Sequence, residues 1–304
     1  MKTGTHLRQS LVLIACLITF SLFGSLAVHA QDNGTTYPDS VRSTWLWHTQ
    51  LIQTQPDELL DFSASQGIDI IYLQISTKVG LDSYKSFISE ASAKGIEVHA
   101  LNGAPDWALS YGKPKLESFI KWVADYQGTA APAEQFHGIQ VDIEPYLLPE
   151  WKSDMNGTVR QWQENVEFLK GLAEPLDLPL SAALPFWLDN YKVPEGDQTL
   201  STWMISRFDS VTLMSYRDNA AAIYNAAKSE LLDGERLGKK VHTGVETKPS
   251  SEGDFITFYE EGSEVLNEQL AQLEQLASAH SSFGGIAVHD LVGWMDLVKR
   301  GDSL

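Results

Sequence analysis

The chain has 304 residues, with 22 basic and 40 acidic side chains, a formal charge of −18 and a single cysteine. The acidic balance argues against nucleic acid as a partner and against adhesion to anionic membranes, both of which require clustered positive charge. One cysteine excludes an intrachain disulfide, so stability has to come from an apolar core, and a chain of this length buries one within a single domain.

Residues 1–30 read as a targeting segment. Lys2 and Arg8 give a basic start, residues 11–28 are uncharged and largely apolar, and Val28-His29-Ala30 fits a small-residue cleavage site. The expectation is a secretory signal peptide ending at Ala30 and a secreted or extracytoplasmic protein. Two alternatives stay open. The run is long enough to persist as an uncleaved membrane anchor, and Leu13-Ile14-Ala15-Cys16 resembles a lipoprotein box. Plain secretion ranks first, because the apolar run continues past Cys16 and lipidation there would leave a greasy mature terminus. Cleavage removes Lys2, Arg8 and the cysteine, leaving 20 basic against 40 acidic side chains and a charge of −20. Residues 31–42 form a polar leader, and residues 43–304 form the folded domain.

From there the pattern is strand then helix, eight times. Candidate strands lie at 44–49, 68–76, 96–102, 138–144, 180–184, 210–216, 241–246 and 285–289, mostly short, β-branched or aromatic, and bounded by turn signals. Pro56 opens a helix that Gly67 closes, Ser83 caps one ending at Gly95, and Pro114 starts a third. Later helices fit 159–172, 219–237, 263–280 and 291–300, with a weak one near 199–206. Eight β-α units imply a single (β/α)8 barrel. A doubly wound sheet would carry a glycine-rich loop after its first strand, and residues 45–50 contain no glycine.

The fourth strand carries most of the chemistry. Ile139, Val141 and Ile143 alternate with Gln140, Asp142 and Glu144, so the apolar set packs outward and the polar set faces the barrel interior. The acids stand at the C-terminal end, where barrel active sites form. Two buried carboxyls without partners cost several kcal/mol unless one holds a proton. A protonated carboxyl beside an ionised one suits the cleavage of a sugar bond. Other strands bring Met214 and Tyr216, His242 and Glu246, and His289 to the same interior or rim.

Here the chain resembles glycoside hydrolase family 18, the chitinase-like barrels. Their fourth strand ends in Asp-Gly-x-Asp-x-Asp-x-Glu, their sixth carries Met-x-Tyr-Asp, and their eighth begins with Gly-Gly and has a Trp floor. The present sequence keeps Gly138, Asp142-Ile143-Glu144, Met214-Ser215-Tyr216 and Gly284-Gly285. The resemblance implies that Glu144 protonates the leaving oxygen, Asp142 orients the substrate's own N-acetyl group for attack on the sugar carbon, and Tyr216 supports that group. It departs from the pattern at His137 and Gln140 in the acid run, at Arg217 after the tyrosine and at His289 in place of the Trp. Arg217 near the subsite implies a substrate other than chitin.

A second resemblance is to the retaining barrel glycosidases that use a strand-four glutamate as acid/base and a strand-seven glutamate as nucleophile. Glu144-Pro145 and Glu246 fit it, and Ile143 stands where an asparagine is expected. It implies two carboxyls about 5 Å apart. Both readings make Glu144 the proton donor.

Gln140, Arg217, Trp47, Trp107, Trp187, His289 and Met214 complete the site as substrate-binding candidates, the tryptophans because sugar rings stack on such faces. Trp45 shares a strand face with Trp47, and Trp294 follows the eighth strand. His99, Asp106 and His242 show no short ligand spacing, so neither metal nor cofactor is expected. The sequence therefore points to a secreted glycoside hydrolase acting on a polysaccharide or oligosaccharide. The alternative is a non-catalytic carbohydrate-binding barrel of the cell surface. Either has a carbohydrate as partner, no nucleic acid, and no membrane contact beyond the N-terminal anchor if that segment stays uncleaved.

Overall fold

Eight short strands pair in parallel and in chain order: β1 (Val41–Leu46), β2 (Ile70–Gln74), β3 (Glu97–Asn102), β4 (Gly138–Asp142), β5 (Leu180–Pro185), β6 (Ser210–Met214), β7 (Lys240–Glu246) and β8 (Phe283–His289). β8 returns to pair with β1, and the sheet closes into a barrel. These coordinates are those of a computed structural model that describes residues 40–301. The stretch expected to be a signal segment, its expected cleavage site and the leader up to residue 39 lie outside the described residues.

A helix follows each strand: α1 (Pro56–Ser65), α2 (Leu81–Ala93), α3 (Lys113–Gln127), α4 (Met155–Ala173), α5 (Leu200–Arg207), α6 (Ala220–Leu237), α7 (Gly262–Ala277) and α8 (Leu291–Gly301). This is the expected (β/α)8 architecture. Side-chain caps start three of the helices. Asp154 accepts from the Gly157 amide, Thr199 from Thr202 and Asn219 from Ala222. α2 starts two residues before Ser83, with Gly80 as its cap position.

The alternation on β4 sorts the side chains as expected. Ile139, Val141 and Ile143 are no more than 3% exposed and belong to the apolar layer between sheet and helices. Each such buried side chain contributes about 1.5–3 kcal/mol. Gln140 points inward instead, wholly buried, and donates across the barrel to the Thr212 hydroxyl at 3.5 Å. A separate small cluster of Trp45, Tyr72, Leu101, Ala183 and Ala287 fills the barrel's middle.

β1 begins at Val41, earlier than the expected residue 44 and inside the stretch read as polar leader. Pairing with β8 extends it, Val41 lying opposite Gly285, and the Arg42 amide donates to Asp69 at 2.7 Å. Residues 47–49 leave the sheet, because the Thr49 hydroxyl donates to the Gln74 carbonyl at 2.7 Å and turns the chain toward the first helix. The second glycine of the Gly284-Gly285 pair has a φ of +133°, and a Cβ there would stand 1.9 Å from the Val41 carbonyl oxygen. Only glycine closes the barrel at that point.

Candidate active site

The C-terminal strand ends surround an open pocket of about 350 Å³. Asp142 and Glu144 enter it from the end of β4, Met214 and Tyr216 from β6, and His289 from β8. Trp45 on β1 and Trp47 just past its end form the aromatic floor, and residues 103–105 close the side beyond β3. Gly103 is part of the construction: a Cβ there would meet the Asp142 carbonyl oxygen at 1.8 Å, so the chain after β3 lies directly against the end of β4.

Asp142 is the most perturbed acid of the pocket. Burial raises its carboxyl from 3.8 to about 7, the nearby Glu144 charge adds to the rise, and His289 opposes it. Its Oδ1 is buried and has no hydrogen-bond partner among the described residues. Glu144 Oε2 accepts a hydrogen bond from the Tyr146 hydroxyl. Tyr146 sits two residues further along the same loop, and the sequence reading did not single it out. Burial and the Glu144 charge raise its phenol, which keeps it a donor. Tyr216 behaves likewise, its hydroxyl raised well above the ordinary range first by burial and then by Glu246, Asp142 and Glu144.

Glu246 does not line the pocket. Its Oε1 accepts from the backbone amides of Thr247 at 2.8 Å and Lys248 at 2.9 Å, and its Oε2 lies 2.8 Å from His289 Nδ1. His289 Nε2 in turn accepts from the Trp47 indole at 3.0 Å. The register of β7 on β8 places Glu246 directly opposite His289. Lys248 thus meets Glu246 through its backbone amide, while its ammonium goes to Asp290.

The remaining candidates separate. Arg217 donates to the Tyr216 carbonyl at 2.6 Å, and its guanidinium lies 4.9 Å from the Phe186 ring and 5.8 Å from Phe255, so it does not tie off Glu144. Trp187 packs edge-on against Tyr146 with ring centres 4.9 Å apart and so abuts the Glu144 loop. Trp107 is not in the pocket. It is 7% exposed, rests on Phe119 and belongs to the apolar layer over α3. Trp294 is wholly buried against Phe62. Gln140 lies one layer below the pocket. His99 and His242 sit toward the opposite end of the barrel, whereas Asp106 stands beyond β3 and pairs with Lys115. Among the described residues no group of three or more His, Cys, Asp or Glu could hold a metal ion.

No family model matches the chain, and no curated protein does. Solved structures do. A chitinase from Bacteroides thetaiotaomicron superposes with a TM-score of 0.54 at 12% identity, over 86% of this chain and 96% of that one. The PgaB (BpsB) glycoside hydrolase domain from Bordetella bronchiseptica gives 0.52 at 12%, over 83% and 95%. A class V chitinase mutant from Cycas revoluta, solved in complex with (GlcNAc)3, gives 0.52 at 13%, over 85% and 97%. At such identities the shared property is the fold, and the fold is the (β/α)8 barrel of the family 18 chitinases and related glycoside hydrolase domains.

Proposed function

We propose that this chain is a secreted glycoside hydrolase that cleaves a polysaccharide or oligosaccharide, with Glu144 as the proton donor. The observation that carries the reading is the pair Asp142 and Glu144 on one open pocket, the buried Asp142 carboxyl lifted to about 7 with one oxygen lacking a partner. An unpartnered buried acceptor has a demand that a substrate N–H satisfies. In the proposed sequence Asp142 takes the N–H of a 2-acetamido group, and that group's carbonyl oxygen attacks the anomeric carbon. Glu144 gives its proton to the departing glycosidic oxygen. Water then opens the cyclic intermediate and returns a proton to Glu144. Tyr216, held protonated, donates to the acetamido oxygen. The ligand of the Cycas revoluta structure, an N-acetylglucosamine trimer, supports this substrate class. Arg217, whose guanidinium lies near the Phe186 and Phe255 rings beside Tyr216, supports a substrate other than plain chitin. Residues 1–30 support export.

Glu246 fits the role of a protein nucleophile poorly, since both of its oxygens are already engaged and neither lines the pocket. A panel of labelled glycans tests the proposal. Once a hydrolysed glycan is found, Glu144→Gln is expected to lower turnover about 100-fold or more with binding largely kept. Wild-type turnover in that variant would refute it. Gln140 favours the second reading, a non-catalytic binder, because it is a buried amide where the family's acid run continues. In that case the panel reads glycan binding without cleavage by the unaltered protein.

A further inference from the structure

Three groups brought from distant parts of the chain form a directed line: Glu246 Oε2, His289 Nδ1 at 2.8 Å, and from His289 Nε2 the Trp47 indole nitrogen at 3.0 Å. An indole N–H only donates. His289 Nε2 therefore carries a lone pair, the ring proton sits on Nδ1, and that proton points at the Glu246 carboxylate. Glu246 cannot swing away, because its other oxygen is clamped by two backbone amides. The groups facing His289 are this carboxylate, the rings of Trp45, Trp47 and Tyr216 at 5.5, 6.2 and 5.9 Å, and the charge of Asp142. Trp47 stands beyond the end of β1, half-buried, where strand pairing no longer holds it.

We infer that Glu246 and His289 are positioning residues that fix the rotation of the Trp47 indole across the pocket floor. Without the bond to His289 the indole is free to turn about its Cβ–Cγ bond, where the torsional wells are broad. A sugar ring needs a flat face in a set orientation, so the line converts the backbone amides just past β7 into a preset stacking surface. What Trp47 stacks on rests on the sugar-site reading above; how Trp47 is held does not.

Two kinds of substitution test the line through tautomer logic. Glu246→Gln keeps the shape. The two backbone amides retain the glutamine oxygen, its NH2 then faces Nδ1, and the imidazole proton has to move to Nε2, where it opposes the Trp47 donor. His289→Asn places an amide at the Nδ1 position but does not reach Trp47, whereas His289→Gln reaches the Nε2 position with an acceptor. The readout is the exchange rate of the Trp47 indole proton in a 1H–15N spectrum, assigned by its disappearance in Trp47→Phe. Exchange is expected to accelerate about tenfold in Glu246→Gln and His289→Asn and to stay near the wild-type rate in His289→Gln. With a hydrolysed glycan, KM should rise about fivefold in the first two, the loss of one hydrogen bond, and stay near wild type in His289→Gln. Unchanged exchange in Glu246→Gln, or equal acceleration in His289→Asn and His289→Gln, would overturn the inference. The exchange measurement needs no substrate, so it decides the matter even if no glycan is cleaved.

Discussion

Replacing Asp142 with asparagine should stabilise the folded protein at alkaline pH and leave it almost unchanged in acid. The Asp142 carboxyl titrates at about 7 in the fold against an ordinary 3.8, chiefly because burial penalises its charge. An acid whose pKa is raised by folding holds its proton more tightly in the folded chain. Stability is therefore undiminished below 3.8, falls as pH rises from 3.8 toward 7, and stays reduced above that. At about 1.4 kcal/mol per pH unit the span corresponds to about 4 kcal/mol. The asparagine side chain removes the charge but keeps a polar group that also costs something to bury, so about 4 kcal/mol is the upper bound. At about 2–4 °C per kcal/mol for a chain of this size, the upper bound on the gain in Tm is about 8–16 °C. Paired urea or thermal unfolding of wild type and Asp142→Asn at pH 4 and pH 8 measures it. Equal differences at the two pH values, or a variant less stable than wild type at pH 8, would refute the burial argument. The same variant should be catalytically poor, which separates the site's chemistry from its stability.

Two further predictions concern the frame around the site. Glu230, 1% exposed on α6, has its carboxyl raised to about 8 by burial and the Asp189 charge, with the Ser201 hydroxyl on Oε1 at 3.1 Å and no partner for Oε2 among the described residues. Glu230→Gln should therefore gain stability at pH 9 and little at pH 5, as read by urea titration; a gain independent of pH would sink the idea. Gly103→Ala forces a methyl group to within 1.8 Å of the Asp142 carbonyl oxygen, which the backbone can relieve only by parting the ends of β3 and β4. A loss of more than about 3 kcal/mol is expected, and a thermal midpoint equal to wild type would show that the close approach is not tight.

Much of this molecule was legible in residue order, because period-two alternation assigns faces without knowing what packs on them. Gln140, Asp142 and Glu144 inward, with Ile139, Val141 and Ile143 outward, follows from the strand pleat alone. The eight-fold strand–helix rhythm likewise implied the barrel. Strand ends were less legible. β4 stops at Asp142 and β6 at Met214, so Glu144 and Tyr216 stand just past their strands. Trp107 read as a sugar platform because it follows a strand, yet the turn after β3 folds it down onto α3.

Linear order determined which side chains face the interior and which strand ends carry acids, since those depend on spacing of two residues. Only the closed barrel decided what each acid touches. Glu246 and His289 are 43 positions apart, and Trp47 and His289 are 242 apart, so their contacts arise from the β7–β8 register and from β8 closing on β1. That closure ties up Glu246 on backbone amides and a histidine while it leaves Asp142 Oδ1 at the pocket without a partner among the described residues. Two carboxylates that look alike in sequence thus acquire different work, because desolvation and hydrogen bonding are properties of the surroundings and not of the residue.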